Sequence, residues 1–208
     1  MTNEQTVEET LPPFVHGLLY CPGGWEGNGV PHEVAAKGIN NDSRVSSWPV
    51  ILVEMRFDGT FGFPGGFIDS SEDVKVALAR EIKEEIGWDG LLAHPHVITE
   101  ICSKSFYAIE ISRDELKEIE CGSSFARDHP SEVLGLIRLP DIGYWYEQLP
   151  GKFVGKSLKN MLEGHRFVAT AKMELLRTIK QMNWLPDDLF MLVTSGLPSA
   201  EVAEVEKM

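Results

Sequence analysis

The chain has 208 residues, of which 43% are hydrophobic, and this is enough for one domain with a buried core. Its 32 Asp and Glu residues exceed its 19 Lys and Arg residues, so the formal net charge is −13 at pH 7. Such a charge argues against a broad basic surface for nucleic acid, and any nucleotide or RNA must therefore bind at a local site.

The N-terminus, MTNEQTVEET, is acidic and polar, and no run of about 18 apolar residues occurs later in the chain. We therefore expect neither secretion nor insertion into a membrane. Three scattered cysteines, Cys21, Cys102 and Cys121, lack CxxC spacing, which argues against a disulfide framework and a zinc site. These features predict an intracellular, reducing compartment.

Apolar runs and turn-forming segments alternate in the first part of the chain. A segment rich in Gly, Pro, Asn and Ser separates two apolar runs, and the second run ends at a turn at Asp58-Gly59. In chain order the pattern predicts a disordered segment at 1–13, a strand at 14–20, a long loop at 22–48 and a buried strand at 49–57.

A helix is predicted over residues 72–86. Ser70 or Ser71 is the candidate N-terminal cap, with Asp73 in the first turn, and Gly87 provides the stop. The rest of the chain predicts strands near 96–101, at 106–111 and at 132–139, and helices at 113–120 and 157–182.

Strands mixed with helices on this scale predict an α/β layered domain in which helices cover a sheet. We assign this single domain to residues 14–185 and treat residues 186–208 as a C-terminal extension. The chain shows no internal repeat and no low-complexity tract.

Three glutamates of the predicted 72–86 helix, Glu81, Glu84 and Glu85, are three and four residues apart and therefore share one face. Like charges at this spacing repel, so a compensating feature is expected. The face borders the apolar stripe that would pack on the sheet, and a hard divalent cation such as Mg²⁺ prefers oxygen ligands of this kind. The alternative is a solvated acidic helix face, which is common in a protein this acidic.

The residues around these glutamates form a longer pattern. Its positions are Gly66, Glu72, Arg80, Glu81, Ile82, Glu84, Glu85, Gly87 and Trp88. This pattern resembles the Nudix box at every specified position. The resemblance implies a Nudix hydrolase, a metal-dependent enzyme that cleaves a diphosphate linked to a nucleoside or similar group. It also implies the Nudix fold, an α/β/α sandwich with a mixed sheet.

The resemblance assigns roles within the box. Glu81, Glu84 and Glu85 match the glutamates that bind the metal, Mg²⁺ or Mn²⁺, and activate the attacking water. Arg80 matches a catalytic-site arginine that holds loop and helix in register together with Glu72. An ordinary helical ion pair between Arg80 and Glu84 is compatible with this role. Which glutamate acts as the base stays open.

Further metal ligands lie outside the helix. Gly65 and Gly66 leave room for a backbone carbonyl to approach the metal, and the Gly65 carbonyl is a ligand by resemblance. The family also uses a histidine after the box. Spacing leaves both His94 and His96 open for that position, and we assign it to His96.

Three segments narrow the resemblance to the U8 snoRNA-decapping enzyme subgroup, which also acts as a phosphatase on inosine and deoxyinosine diphosphates. They are HGLLY at 16–20, MRFDGTFGFPGGFID at 55–69 and ARDHPSEVLGLIRLP at 126–140. His16 and Phe63 match base-contacting positions, and Arg56 matches a substrate-contacting arginine. The alternatives are a satisfied strand histidine for His16, a core ring for Phe63 and a surface cation for Arg56.

The chain departs from the subgroup at the long 22–48 loop and at Glu174, which stands where a substrate-touching glutamine is expected.

Three hypotheses for the function follow. The first is a hydrolase of purine nucleoside diphosphates and of the 5′ cap of RNA. The second is a hydrolase of ADP-ribose or a dinucleotide. The third is an RNA-binding scaffold, a role that one branch near this subgroup adopts after losing its glutamates. The resemblance also implies a homodimer in the nucleus and cytoplasm.

Overall fold

The computed structural model describes residues 14–22, 49–101, 105–139, 144–145, 154–155 and 157–206. The predicted disordered segment at 1–13 and nearly all of the predicted 22–48 loop lie outside these residues. The described strands are β1 (Phe14–Cys21), β2 (Val50–Arg56), β3 (Phe61–Gly62), β4 (Gly65–Phe67), β5 (Ile98–Glu100), β6 (Phe106–Glu110), β7 (Val133–Arg138), β8 (Tyr144–Trp145) and β9 (Val154–Gly155). The α-helices are α1 (Val74–Ile86), α2 (Arg113–Gly122), α3 (Ser157–Gly164), α4 (Ala171–Gln181), α5 (Asp187–Thr194) and α6 (Ser199–Glu206).

Seven of the strands form one mixed sheet in the order β3-β2-β1-β6-β5, with β4 also paired to β1 and β7 also paired to β2. β1 runs parallel to β6 and antiparallel to β2 and β4. The remaining pair, β8 and β9, forms a separate two-stranded sheet. The predicted mixed sheet is therefore confirmed.

Helices cover both faces of the sheet because the two strand faces are both apolar. Along β2, Leu52 packs with α1 and α2 in one core, whereas Ile51 and Val53 pack with α3, α4 and α5 in the other. This alternation is the period of two that a strand imposes on its side chains. The result is the predicted α/β/α sandwich, and two separate apolar cores stabilise it.

Helix α1 begins two residues later than predicted. The N-terminal cap is Asp73, whose carboxylate accepts a hydrogen bond from the Lys75 N–H at 2.9 Å, so the predicted caps Ser70 and Ser71 are wrong. The helix ends at Gly87, as predicted, and the Gly87 N–H donates to the Lys83 carbonyl at 3.0 Å.

The predicted continuous helix at 157–182 is wrong, because α3 ends at Gly164 and α4 begins at Ala171. Between them the backbone pairs with β3 instead of continuing the helix. The Phe61 N–H donates to the Arg166 carbonyl, and the Val168 N–H donates to the Phe61 carbonyl, each at 2.8 Å. A long-range backbone contact thus overrides the local helical periodicity.

Residues 186–206 continue into two helices that carry core side chains. Phe190, Val193, Leu197 and Val205 are buried in the same core as α3 and α4. The assignment of a domain boundary at 185 stays a prediction. No described helix is long and apolar enough to cross a membrane.

Candidate active site

The candidate site forms where the second half of β2 faces helix α1. Leu52 lies on the α1 side of the sheet, so the alternation of side chains directs Glu54, two residues later, to the same side. Glu54 is 0% exposed, and Glu85 on the facing helix is 3% exposed. Two carboxylates are therefore buried together, an arrangement that requires compensating contacts.

Glu85 receives such contacts from the loop before α1 and from β2. The Gly65 N–H donates to Glu85 Oε2 at 2.7 Å, and Arg56 Nη1 donates to Glu85 Oε1 at 3.4 Å. Burial raises the pKa of Glu85 to about 7, although both contacts favour its ionised form. Burial also raises the pKa of Glu54 well above its ordinary value, and the neighbouring Glu85 adds to that shift.

Arg80 ties the other glutamates to the loop. It donates to Glu72 at 3.0 and 3.1 Å, to Glu81 at 2.7 Å, to Glu84 at 3.3 Å and to the Phe67 carbonyl at 2.9 Å. The expected Arg80–Glu72 contact and the expected Arg80–Glu84 pair are thus both present. These charge-assisted bonds hold the start of the loop and the middle of α1 in one arrangement.

The two glycines of β4, at the start of the loop that leads into α1, pack closely against neighbouring groups. A Cβ on Gly65 would clash with the Val15 carbonyl and with His16, and a Cβ on Gly66 would clash with the Glu81 carboxylate. The loop backbone therefore lies directly against β1 and against the acidic face of α1.

Arg56 lies among carboxylates. Its Nη1 is 3.4 Å from Glu85 and 3.8 Å from Glu54, and its Nη2 is 3.6 Å from Glu132. The guanidinium is largely buried, so it is not the free surface cation of the alternative hypothesis. The structure thus brings Arg56 together with Glu85 of the box.

His16 also borders the site, because it pairs with Gly65 across β1 and β4. Its Nδ1 is buried without a hydrogen-bond partner. Burial lowers the pKa of His16, and the nearby Arg56 charge lowers it further. The ring therefore favours its neutral form and keeps one buried nitrogen available for a ligand.

Phe63 and Glu174 lie in tighter surroundings. Phe63 is 3% exposed and packs edge-on against Phe106 within the core, so its ring offers little surface to a stacking base. Glu174, near the start of α4, accepts a hydrogen bond from the Thr170 hydroxyl at 3.0 Å, and burial raises its pKa. Base stacking on Phe63 stays a prediction.

His96 is placed away from the glutamate contacts described above. Its Nε2 is 2.8 Å from Glu115, its Nδ1 is 2.8 Å from the His94 carbonyl, and its ring packs edge-on against Trp88. Both ring nitrogens thus already have partners. Its role as a metal ligand, and the choice between His94 and His96, stay predictions.

One buried residue of the site, Glu54, and two residues at its exposed margin, Arg127 and Glu132, were not predicted from the sequence. Arg127 forms an ion pair with Glu84, and Glu132 pairs with Arg56. One sequence feature pointed to Glu54, because it is the single acidic residue within the apolar run 49–57. Arg127 and Glu132 have no comparable local feature, since only the folded chain brings them to the helix.

A divalent cation fits the chemistry of these side chains. Within the described part of the chain, no three acidic, His or Cys side chains already converge as a metal site. Arg80, Arg127 and the Gly65 N–H instead hold the oxygens of Glu81, Glu84 and Glu85. The oxygens of these three glutamates are carboxylate oxygens, which are the ligands that hard cations prefer. Glu54 adds two buried carboxylate oxygens that have no hydrogen-bond partner.

Comparisons with known proteins identify the family of the chain. A family model described as "Nudt16-like: U8 snoRNA-decapping enzyme-like" matches residues 41–185. The Tudor-interacting repair regulator protein of Homo sapiens is 32% identical over 172 residues, which cover 76% of this chain and 74% of that protein. The U8 snoRNA-decapping enzyme of Mus musculus is 31% identical over 169 residues, which cover 71% of this chain and 77% of that protein.

Two further matches are more limited. The U8 snoRNA-decapping enzyme of Homalodisca vitripennis is 44% identical over 100 residues, which cover 43% of this chain and 53% of that protein. This chain therefore spans about half the length of that relative. A solved mutT/nudix family protein from Listeria innocua has a TM-score of 0.42 at 15% identity, with 88% of this chain and 99% of that chain covered.

The family model spans more than half of the chain, and residues 41–185 include Glu54, Arg56, Arg80 and the three box glutamates. Two relatives share at least 30% identity over more than two thirds of the chain, and one of them is a U8 snoRNA-decapping enzyme. The chain therefore belongs to the U8 snoRNA-decapping enzyme-like family of Nudix hydrolases, as the box and the flanking segments predict.

Proposed function

We propose that this protein is a divalent-metal-dependent hydrolase of (deoxy)inosine and other purine nucleoside diphosphates, and of the diphosphate linkage in a capped RNA. The observation that carries the proposal is the Arg80 network, which fixes Glu81 and Glu84 against the glycine loop. Carboxylates held in this way beside a tightly packed loop are suited to a cation and a polyphosphate. A solvated acidic helix face would need no such network.

In this proposal Glu81, Glu84, Glu85 and the Gly65 carbonyl hold Mg²⁺ or Mn²⁺. The bound cation would offset the charge of the diphosphate and lower the pKa of an attacking water. Arg80 orients Glu81 and Glu84, while the Gly65 N–H orients Glu85. His96 stays a predicted ligand whose two ring nitrogens have protein partners.

The proposed base preference is for a 6-oxopurine. Hypoxanthine presents an acceptor at position 6 and a donor at N1, whereas adenine presents the reverse, so a pocket for one mispairs with the other. The unpartnered Nδ1 of His16 supports a polar contact to the base edge. Mispaired buried polar groups cost about 1–3 kcal/mol each, and we therefore expect at least roughly tenfold preference for IDP over ADP.

A substrate panel tests the proposal. We would measure kcat/KM for IDP, dIDP, GDP, ADP, ADP-ribose and a capped RNA with Mg²⁺, with Mn²⁺ and with chelator. IDP should lead the panel, and chelator should abolish turnover. The His16→Ala variant should reduce the ratio of IDP to ADP activity. Equal efficiency on IDP and ADP would reject the base preference and leave the hydrolase assignment standing.

The same panel separates the alternatives. A lead of ADP-ribose over the nucleoside diphosphates would favour the ADP-ribose or dinucleotide hydrolase. The relatives include one protein named as a decapping enzyme and one named as a repair regulator, so their names alone do not distinguish a catalytic role from a regulatory one. The complete set of box glutamates in this chain favours catalysis.

The proposed assembly is a homodimer located in the nucleus and cytoplasm, and it rests on the family resemblance alone. Size-exclusion chromatography with light scattering tests the dimer: a mass of one chain at micromolar concentration would reject it. Microscopy of the tagged chain in cells tests the location, and exclusion from the nucleus would contradict it.

A further inference from the structure

Glu54 is a buried carboxylate that the protein leaves unsatisfied. It is 0% exposed, and neither of its oxygens has a hydrogen-bond partner. Burying a carboxylate without hydrogen bonds is costly, so a protein of this kind either protonates the group or supplies a charged partner. Glu54 also lies outside the Nudix box, and the proposed function has so far given it no role.

Glu54 lies beside the glutamates of α1 that form the candidate site. β2 places it on the face that packs against α1, between paired residues of β3 and β7. A single nitrogen of Arg56, Nη1, lies 3.8 Å from Glu54 Oε2 and 3.4 Å from Glu85 Oε1. Glu54 and Glu85 thus approach the same point from opposite elements.

The negative charges around Arg56 outnumber its single positive charge. Arg56 supplies one positive charge to three carboxylates, those of Glu54, Glu85 and Glu132. Glu132 is 53% exposed and is screened by solvent, whereas Glu54 and Glu85 are shielded from it. When both carboxylates of the buried pair are ionised, they need more positive charge than Arg56 provides.

We propose that Glu54 is an additional ligand of the divalent cation, so that β2 and α1 bind the metal from two sides. This inference rests on the proposed function, since it assumes that the box glutamates hold a cation. Glu54 contributes an oxygen ligand from a central strand, whereas the box glutamates lie on one helix. The cation in turn satisfies the buried oxygens that the protein leaves unpaired.

The test is Mn²⁺ affinity, measured by isothermal titration calorimetry and by electron paramagnetic resonance of free Mn²⁺. Glu54→Gln should weaken Mn²⁺ binding at least roughly tenfold, because an amide oxygen is a poorer ligand than a carboxylate. The rise in Tm on adding Mn²⁺ should shrink in the same variant, since a ligand that binds more weakly at the same concentration stabilises the folded protein less. Comparing Tm with and without Mn²⁺ within each variant removes any difference in baseline stability.

Glu132→Gln is the matched control, because it removes one negative charge from the same Arg56 cluster at a partly exposed position. It should change Mn²⁺ affinity less than threefold, on the order expected of a screened surface charge. Glu54→Leu is the second variant: its apolar side chain suits a buried strand, and it should also lose Mn²⁺ affinity.

The Mn²⁺ affinities of these variants decide whether Glu54 is a metal ligand. Wild-type affinity in Glu54→Gln and Glu54→Leu would overturn the Glu54 proposal and leave the metal-dependent hydrolase standing. Equal losses in Glu54→Gln and Glu132→Gln would reduce the effect to long-range charge and would also overturn it. A wild-type protein that binds no Mn²⁺ and works in chelator would overturn the proposed function as well.

Discussion

Burial distinguishes Glu85 from the other glutamates of α1. Burial raises its pKa to about 7, while the Gly65 N–H and Arg56 favour the ionised carboxylate. Glu81 and Glu84 are held mainly by Arg80 and Arg127 nearer the surface. Among the box glutamates, Glu85 is thus the one whose charge depends most on its surroundings. A substitution of Glu85 should therefore be the most informative test of the metal site.

We expect Glu85→Gln to lower kcat at least roughly a hundredfold, because a neutral amide holds a cation poorly and leaves the water less activated. The fold should survive, since the amide oxygen can still accept the Gly65 N–H. Turnover of IDP is the measurement, with circular dichroism to check folding. Glu118→Gln on the exposed face of α2 is the control and should behave as wild type. Wild-type turnover in Glu85→Gln would contradict the metal-site assignment.

His16 makes stability depend on pH. Its pKa is lowered by burial and then by Arg56, so below about pH 6.5 the unfolded chain binds more protons at this residue than the folded chain. Above that pH, His16 is neutral in both states and does not lower the free energy of unfolding. As the pH falls below it, the free energy of unfolding decreases by at most about 1.4 kcal/mol per pH unit.

Urea unfolding at pH 7.5 and pH 5.5 in chelator tests this. The wild type should lose more stability on acidification than His16→Gln, and the difference between the two proteins isolates the histidine from nearby glutamates. An identical pH dependence would show that His16 is equally easy to protonate in both states.

Residue patterns predicted the box contacts but not the whole site. The spacing of Arg80, Glu81 and Glu84 within one helix is enough to place them together, and the structure agrees. Glu54 could not be assigned to the site from the sequence, because Glu85, with which it shares a contact to Arg56, is on a different element. That contact depends on how β2 packs against α1, which local sequence does not specify.

The longer strands and helix α2 could be predicted because their patterns are local. β1, β2, β6 and β7 match the predicted runs within one or two residues, and α2 begins at the predicted position. The break between α3 and α4 could not be predicted, since it depends on backbone pairing with Phe61, about a hundred residues earlier in the chain. A periodic apolar pattern does not show such a competing contact.

Helix α5 gives a test of whether the C-terminal extension is part of the domain. Phe190 is buried in the core with α3 and α4, whereas its neighbour Met191 is 68% exposed. We expect Phe190→Ala to destabilise the protein by about 3 kcal/mol or more. Met191→Ala should stay within about 0.5 kcal/mol of wild type.

Urea denaturation measured by tryptophan fluorescence compares these two variants. If Phe190→Ala were as stable as Met191→Ala, the extension would contribute little to the fold, and the domain would end near residue 185. A large difference would extend the domain through α5.

The charge of the whole molecule limits how it can bind RNA. At a formal net charge of −13, the surface repels phosphates, and counterion release cannot supply general affinity. A capped RNA must therefore bind through its cap diphosphate, its base and a few cations such as Arg56. In the proposed function, RNA is therefore a substrate of the acidic site and not a ligand of a broad surface.

We predict that RNA binding is cap-dependent and metal-assisted. Affinity for one RNA, uncapped or carrying a cap with a non-hydrolysable diphosphate bridge, would be measured with the wild-type protein in Mn²⁺ and in chelator, so that the cap stays intact. The capped RNA with Mn²⁺ should bind most tightly. Tight binding of uncapped RNA in chelator would instead support the RNA-binding scaffold.

The position of β1 has a consequence for biosynthesis. Its parallel neighbour β6 lies far along the chain, and the Tyr20 and Glu110 side chains that join the two strands are 90 residues apart. At a synthesis rate of 5–20 residues per second, roughly 5–20 s pass between the two strands. During that interval one edge of an apolar central strand is unpaired, and such edges recruit other chains. The nascent protein is therefore most open to pairing with other chains at this edge until β6 emerges from the ribosome.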